Sequence, residues 1–307
     1  MLLKTLYQKS QESIWKIGFI QNSLDGILNN EPLQIKYISS PSDRWWADPF
    51  ILDVTEREIT LLVEEFIYKR KRGTIAKLVI DKESFAVKSD EEILVLDTHL
   101  SFPAILRNSI FNPDLNKTDI YVYPENSKGG DLKLYRYDKK ENKLVDGITI
   151  CHEPLTDAIY TELLGEPMII STKEPNPNGK VLRIYRSKVK DGELKGTFFG
   201  LSEEVMFNEK VARNAGDWFE HNGIIYRPAQ ECNVEYGHST YIQKVSKDEN
   251  GKLHFKNVRR FLSDDKVFDR GLHTCNTFKG LTVIDVKGYH YPKIARFLKL
   301  IRNLHYQ

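Results

Sequence analysis

Five times along the chain a short polar motif opens a run of strand-forming residues. The starts are Trp46-Ala47-Asp48-Pro49-Phe50, His99-Leu100-Ser101-Phe102-Pro103, Thr156-Asp157-Ala158-Ile159, Ala215-Gly216-Asp217-Trp218 and Leu272-His273-Thr274-Cys275-Asn276. They lie about 50 to 60 residues apart, near the upper end of the repeat lengths that mark propeller blades. Between Ile14 and Val286 the apolar residues come in short runs rich in Ile, Val, Tyr and Phe, such as ITLLVEEF from Ile59 and LKLYRY from Leu132. Clusters of Gly, Asn, Asp and Lys separate them. That pattern is one of strands and turns. Helical periodicity is confined to the two ends. The repeat predicts an all-β chain folded as a five-bladed β-propeller with short terminal helices.

In a propeller the innermost strand of each blade lines the central channel, so a polar residue at the start of every blade converges on one axis. Ring closure needs an extra strand, and Ile14 to Ile20 (IWKIGFI) is placed to complete the last blade. The alternative, two β-sandwich domains, calls for a linker, and no Pro-, Gly- or Ser-rich stretch divides the chain. The expected organisation is a helical extension over 1–13, the propeller over 14–290 and a basic amphipathic helix over 291–307. In KIARFLKLIRNL, Ile294, Phe297, Leu298, Ile301 and Leu304 share one helical face, with Lys293, Arg296, Lys299 and Arg302 elsewhere. Such a helix can lie on an anionic membrane surface, dock on the propeller or meet another subunit.

Composition narrows the function. Forty-five Lys and Arg against 43 Asp and Glu leave a net charge of +2, which argues against nucleic acid as a partner. The N-terminal residues lack the continuous apolar stretch of a secretory signal, so a cytoplasmic location, or one peripheral to the inner membrane face, is the expectation. Cys151, Cys232 and Cys275 are far apart and suggest neither a zinc ribbon nor a disulfide framework. No Gly-rich loop leads into a helix, so no nucleotide cofactor is expected. His99 and His273 have no second ligand at i+2 or i+4, so no metal motif is read.

Several carboxylates near one axis invite glycoside chemistry, which needs one carboxyl as general acid and another as base or nucleophile. Asp48, Asp157, Glu125 and Glu231 are the candidate catalytic groups. Candidate sugar-contacting residues are Trp46, Glu65, His99, Lys173, Asp217, Arg227, Gln230, Tyr236 and His273. Trp45, Tyr68, Tyr123 and Trp218 are further aromatic residues with sugar-stacking or core roles. Strand alternation sends only one of Glu64 and Glu65 inward.

In order and spacing, WWADPF, LLVEEF, GTIAKLVID, HLSFPAILR, IYVYPENS, LKLYRY, TDAIYTELLGEPMIIST and IIYRPAQEC carry a family resemblance. From about Trp15 to Val286 the chain resembles the β-propeller domain at the N-terminus of glucosamine inositolphosphorylceramide transferases and in bacterial polysaccharide-synthesis proteins. That domain is similar to the five-bladed propellers of glycoside hydrolase family 43. The resemblance implies Asp48 as base and Asp157 as modulator, with Glu231 or Glu125 as acid, although the Glu-Gly-Pro acid motif is missing. It implies a carbohydrate or glycoconjugate ligand. Two functions are expected: a glycoside hydrolase or transglycosylase, or a non-catalytic glycan-binding or scaffold module assisting polysaccharide or glycolipid assembly.

Overall fold

A computed structural model describes residues 12–107, 119–187 and 199–297. The chain opens with β1 (Ser13–Ile20), a short helix α1 (Leu24–Leu28) and β2 (Ile35–Tyr37). Blade 1 follows as β3 (Arg44–Val54), β4 (Glu58–Ile67), β5 (Arg72–Asp81) and β6 (Val87–Leu94). Blade 2 holds β7 (Ser101–Leu106), β8 (Tyr121–Glu125), β9 (Leu132–Asp138) and β10 (Lys143–Cys151). Blade 3 holds β11 (Leu155–Thr161), β12 (Met168–Lys173), β13 (Val181–Ser187) and β14 (Phe199–Met206). Blade 4 holds β15 (Phe219–His221), β16 (Ile224–Glu231), β17 (Ser239–Lys247) and β18 (Leu253–Phe261). The chain ends with β19 (Cys275–Phe278) and β20 (Leu281–Tyr289), the two inner strands of blade 5.

Each blade is a four-stranded antiparallel sheet, and the five together form the expected propeller. Blade 5 has the order β19-β20-β1-β2, so strands from both chain ends share one sheet. β1 pairs with β20 from Ser13↔Tyr289 to Ile20↔Thr282, as IWKIGFI led us to expect. Its near-continuous apolar run has a physical cause: both faces of the strand press on neighbouring blades, and Ile17 and Phe19 are fully buried. Gly18 is needed there because a Cβ would stand 2.7 Å from Ile35 Cγ2 and 2.9 Å from the Tyr37 ring on β2.

Hydrophobic clusters fill the spaces between blades. Ile17, Trp46, Ile51 and Leu61 join blades 5 and 1, whereas Phe102, Tyr123, Ile159 and Ile170 join blades 2 and 3. Helix α1 was not foreseen. Ser23 caps its start, accepting from Gly26 N at 3.2 Å, and the Arg259 guanidinium on β18 donates to the Ile27 and Glu31 carbonyls at its end. Such a basic group offsets the unpaired carbonyls of a helix C-terminus.

Residues 1–11 and 298–307 lie outside the described residues, so most of the expected terminal helices does too. A helical stretch over 292–297 is described, with Ile294 and Phe297 exposed. Among the described residues no helix is long and apolar enough to cross a membrane.

Candidate functional site

The site is built from β-bulges. Pairing of β3 with β4 jumps from Ala47↔Glu64 to Phe50↔Leu62. The same jump occurs from Ser101↔Glu125 to Ala104↔Tyr123 in blade 2 and from Thr156↔Thr172 to Ile159↔Ile170 in blade 3. The first residue of each bulge has a left-handed backbone: Asp48 at φ 49°, Phe102 at φ 44° and Asp157 at φ 47°. Aspartate tolerates this region better than most side chains. Phe102 does not, and it is held there by burial and an edge-on contact with Phe50 at 4.9 Å.

A bulge removes an N–H from the strand ladder, and a buried N–H needs another acceptor. Asp48 N donates to Asp285 Oδ2 at 2.9 Å, Asp157 N to Glu125 Oε2 at 2.9 Å, and Phe102 N to Asp48 Oδ2 at 3.0 Å. Glu64 and Glu125 stand on the second strands of blades 1 and 2, each opposite the residue before the bulge, and Asp285 on the second strand of blade 5 stands opposite Thr274. Two of these three carboxylates therefore each receive the amide at the start of the next blade. The acids gather at the axis because the bulges need acceptors there.

On the blade 5 and blade 1 side, His273 Nδ1 donates to Asp285 Oδ1 at 2.7 Å, with Nε2 3.5 Å from Asp48 Oδ1. The Trp15 indole stacks on the imidazole at 3.8 Å and 15°. Burial alone would lower the His273 pKa, but Asp285 and Asp48 outweigh it and raise it. Burial pushes the Asp48 carboxyl up to about 7, against the pull of His273. Asp48, His273 and Asp285 bring three donor atoms within 4.8 Å of one another, the one such group among the described residues. Their atoms already have protein partners, since Thr274 Oγ1 donates to Asp48 Oδ1 at 2.8 Å and Thr274 N to Asp285 Oδ1 at 3.0 Å. These bonds tie the three groups into one hydrogen-bonded charge network.

On the blade 3 and blade 4 side, Arg213 grips Asp157 with Nε 2.5 Å from Oδ2 and Nη2 3.2 Å from Oδ1. The same guanidinium reaches Glu125 Oε2 at 3.4 Å and Asn178 Oδ1 at 3.0 Å, and lies over the Tyr236 ring at 4.8 Å. Gln230 Nε2 adds a third donor to Asp157 at 2.5 Å. Burial raises the Glu125 carboxyl well above its ordinary value, against the pull of Arg213. Arg227 holds the segment that carries Arg213. Its guanidinium donates to the Val211 and Ala212 carbonyls, to Asn214 Oδ1 at 2.9 Å and to Gln243 Oε1 at 2.7 Å. Those acceptors are neutral, and burial brings Arg227 down to about 9.

The structure thus brings together Asp48, Asp157, Glu125, Gln230, Tyr236 and His273 of the expected residues. His99 joins their edge: it accepts from Gly73 N at 2.9 Å on Nδ1, so Nε2 carries the proton toward Glu64 at 3.2 Å. Other expected residues stand apart. Glu65, expected to contact sugar, instead accepts from Trp46 Nε1 at 3.1 Å and pairs with Arg44 at 3.0 Å, and strand alternation gives the inward place to Glu64. Trp46 is core. Lys173 pairs with Glu153 at 2.5 Å. Arg227 is fully buried and acts on the backbone.

Glu231 ends β16 with Asn233 N, Ser239 Oγ and Arg260 Nη2 donating at 2.7, 2.9 and 2.8 Å. These bonds overcome burial and keep its pKa low. Asp217 follows the blade 4 turn and lines a cavity of about 330 Å³ beside Arg107 and Tyr160, where burial pushes its carboxyl up to about 7. Sequence reading passed over Arg213, Asp285 and Trp15. Asp285 was within reach, because LTVIDV occupies the place of LLVEEF in its blade.

The model of the family described as glucosamine inositolphosphorylceramide transferase 1, N-terminal, matches residues 12–281. The chain belongs to this family. Among its relatives, glucosamine inositolphosphorylceramide transferase 1 of Oryza sativa subsp. japonica is 26% identical over 155 residues, covering 48% of this chain and 19% of that protein. The Arabidopsis thaliana protein of the same name is 28% identical over 158 residues, covering 48% and 18%. The chain thus spans under a fifth of the length of these curated relatives. Among solved structures, RS223-Beta-xylosidase aligns with TM-score 0.53 and 11% identity over 80% of this chain and 93% of that one. A GH43_1 enzyme from Xanthomonas citri aligns with TM-score 0.52 and 12% identity over 80% and 88%. At such identity the family member shares their fold, and the likeness carries no further.

Proposed function

We propose that this propeller recognises a glycan in polysaccharide or glycolipid assembly and does not cleave it. The observation that carries this reading is Arg213, whose guanidinium engages both oxygens of Asp157 and reaches Glu125. Glycoside cleavage needs one carboxyl free to hand a proton to the leaving oxygen and another with lone pairs open to the anomeric carbon or to water. Here Asp157 faces three donors. Glu125 accepts from Asp157 N and Arg213 on one oxygen and from Ser127 Oγ at 3.0 Å on the other. Asp48 accepts from Phe102 N and Thr274 Oγ1. Blade 4 begins Arg213-Asn214-Ala215-Gly216, without a carboxyl. A sugar would meet this cluster from its edge, where Tyr236 and His99 are half-exposed. The names of the relatives support a carbohydrate ligand.

One observation favours a hydrolase or transglycosylase instead: Asp48 and Glu125 both carry raised pKa values, so each can hold a proton near neutral pH. The test compares wild type with Asp157→Asn and Asp48→Asn on aryl glycosides, nucleotide sugars and a panel of free oligosaccharides. Ligand-induced thermal shift without product release, reduced in Asp157→Asn, supports recognition. Product release abolished by Asp48→Asn overturns it in favour of the enzyme.

A further inference from the structure

Beside the charged cluster, at the boundary of blades 5 and 1, lies a groove of about 290 Å³. Its walls come from the start of β1, the 38–43 connection, the start of β3 and the turn after β4. Trp15, Trp45 and Tyr68 supply the aromatic surface. Trp45 rests one face on Phe66 at 4.8 Å and 3°, and Trp15 rests one face on His273 at 3.8 Å. Trp15 therefore separates the groove from the Asp48–His273–Asp285 network by the thickness of one ring. Ser40 Oγ, in the groove wall, is buried and has no hydrogen-bond partner.

The charges of the wall are matched internally. Arg44 pairs with Asp43, Glu65 and Asp90, and Lys16 lies 3.8 Å from Asp265 and over the Tyr37 ring. No unmatched charge there calls for an ionic ligand. An aromatic platform with an orphan hydroxyl suits a ligand that has an apolar C–H face and hydroxyl edges, and the volume is close to the lower end of small-ligand clefts, about 300 Å³.

We propose that this groove is a second sugar subsite. It takes an uncharged hexopyranose unit of the same glycan whose neighbouring unit meets the central cluster, with Trp45 and Tyr68 as the platform and Ser40 as a hydrogen-bonding group. The inference rests on the glycan-recognition reading above. The two aromatic neighbours at the start of β3 differ: Trp46 packs into the large cluster between blades 5 and 1, and Trp45, on the opposite face of the strand, packs with Trp15 and Ala47 in a small cluster that borders the groove.

Calorimetric titration with methyl glycosides of glucose, mannose, galactose and glucosamine, and with di- and trisaccharides built from them, tests it. For wild type we expect binding to tighten by about tenfold from mono- to disaccharide, near the upper end of one aromatic contact. Tyr68→Ala and Trp45→Leu remove that gain. Tyr68 is half-exposed, so its variant keeps the test available if Trp45→Leu unfolds. A full length dependence retained in folded Tyr68→Ala overturns the subsite and leaves the glycan-recognition reading standing. Absence of binding by every probe overturns both.

Discussion

Arg213 and Asp157 meet across the boundary of blades 3 and 4 as a two-point ion pair, 2.5 Å and 3.2 Å apart, with both side chains almost wholly buried. A buried pair of this geometry contributes little over an apolar replacement, but removing one partner strands the other's charge. Glu125 leans on the same guanidinium at 3.4 Å and loses that donor too.

Arg213→Gln is therefore expected to destabilise the fold by about 3–5 kcal/mol, the range for breaking a buried ion pair. Urea unfolding measures it. Adding Glu125→Gln to that variant costs less than Glu125→Gln alone, because the Glu125–Arg213 contact is already gone. A double-mutant cycle showing strictly additive losses would disprove the shared coupling.

The Asp48–His273 pair sets a pH dependence. Asp48 has a folded pKa near 7, above its unfolded value, so the fold holds that proton more tightly and its contribution fades as pH rises through about 7. His273 is also raised, so its contribution is complete below its unfolded value, about 6.5, and fades as pH rises through its folded value. Both act in one direction. Wild-type Tm is expected to fall between about pH 4 and about pH 7 more steeply than that of Asp48→Asn. Parallel curves for the two proteins would contradict this assignment.

Ring closure depends on β1. Ile17 is fully buried between blades 5 and 1, and Ile17→Ala is expected to lower stability by about 2–5 kcal/mol, the range for an emptied core site. The urea midpoint should drop with little change in slope. A loss under about 0.5 kcal/mol, the size of an ordinary surface change, would mean that β1 is not part of the cooperative unit.

Much of the fold was legible in the sequence because it repeats. The five polar starts fall on or immediately before the innermost strands, and Ile14 to Ile20, ahead of the first blade, was placed to complete the last one. Asp48 and Asp157 were legible too, since each opens its blade at the same place. Asp217 shared that sequence signal and went elsewhere: the turn into blade 4 carries it to a cavity beside Arg107. Glu231 was a candidate acid, but Asn233 N, Ser239 and Arg260, the last brought in when β18 pairs with β17, hold its pKa low.

The sequence by itself determined the blade number, the closing strand and the family, because these follow from local hydrophobic patterning and ordered motifs. Tertiary structure decided which carboxyls meet a cation. Arg213 lies 56 residues from Asp157 and 88 from Glu125 in sequence, and no local pattern marks a group whose partners come from other blades. Burial then sets what each acid can do: the same carboxyl chemistry is held low at Glu231 by three donors and pushed up at Asp48 by desolvation.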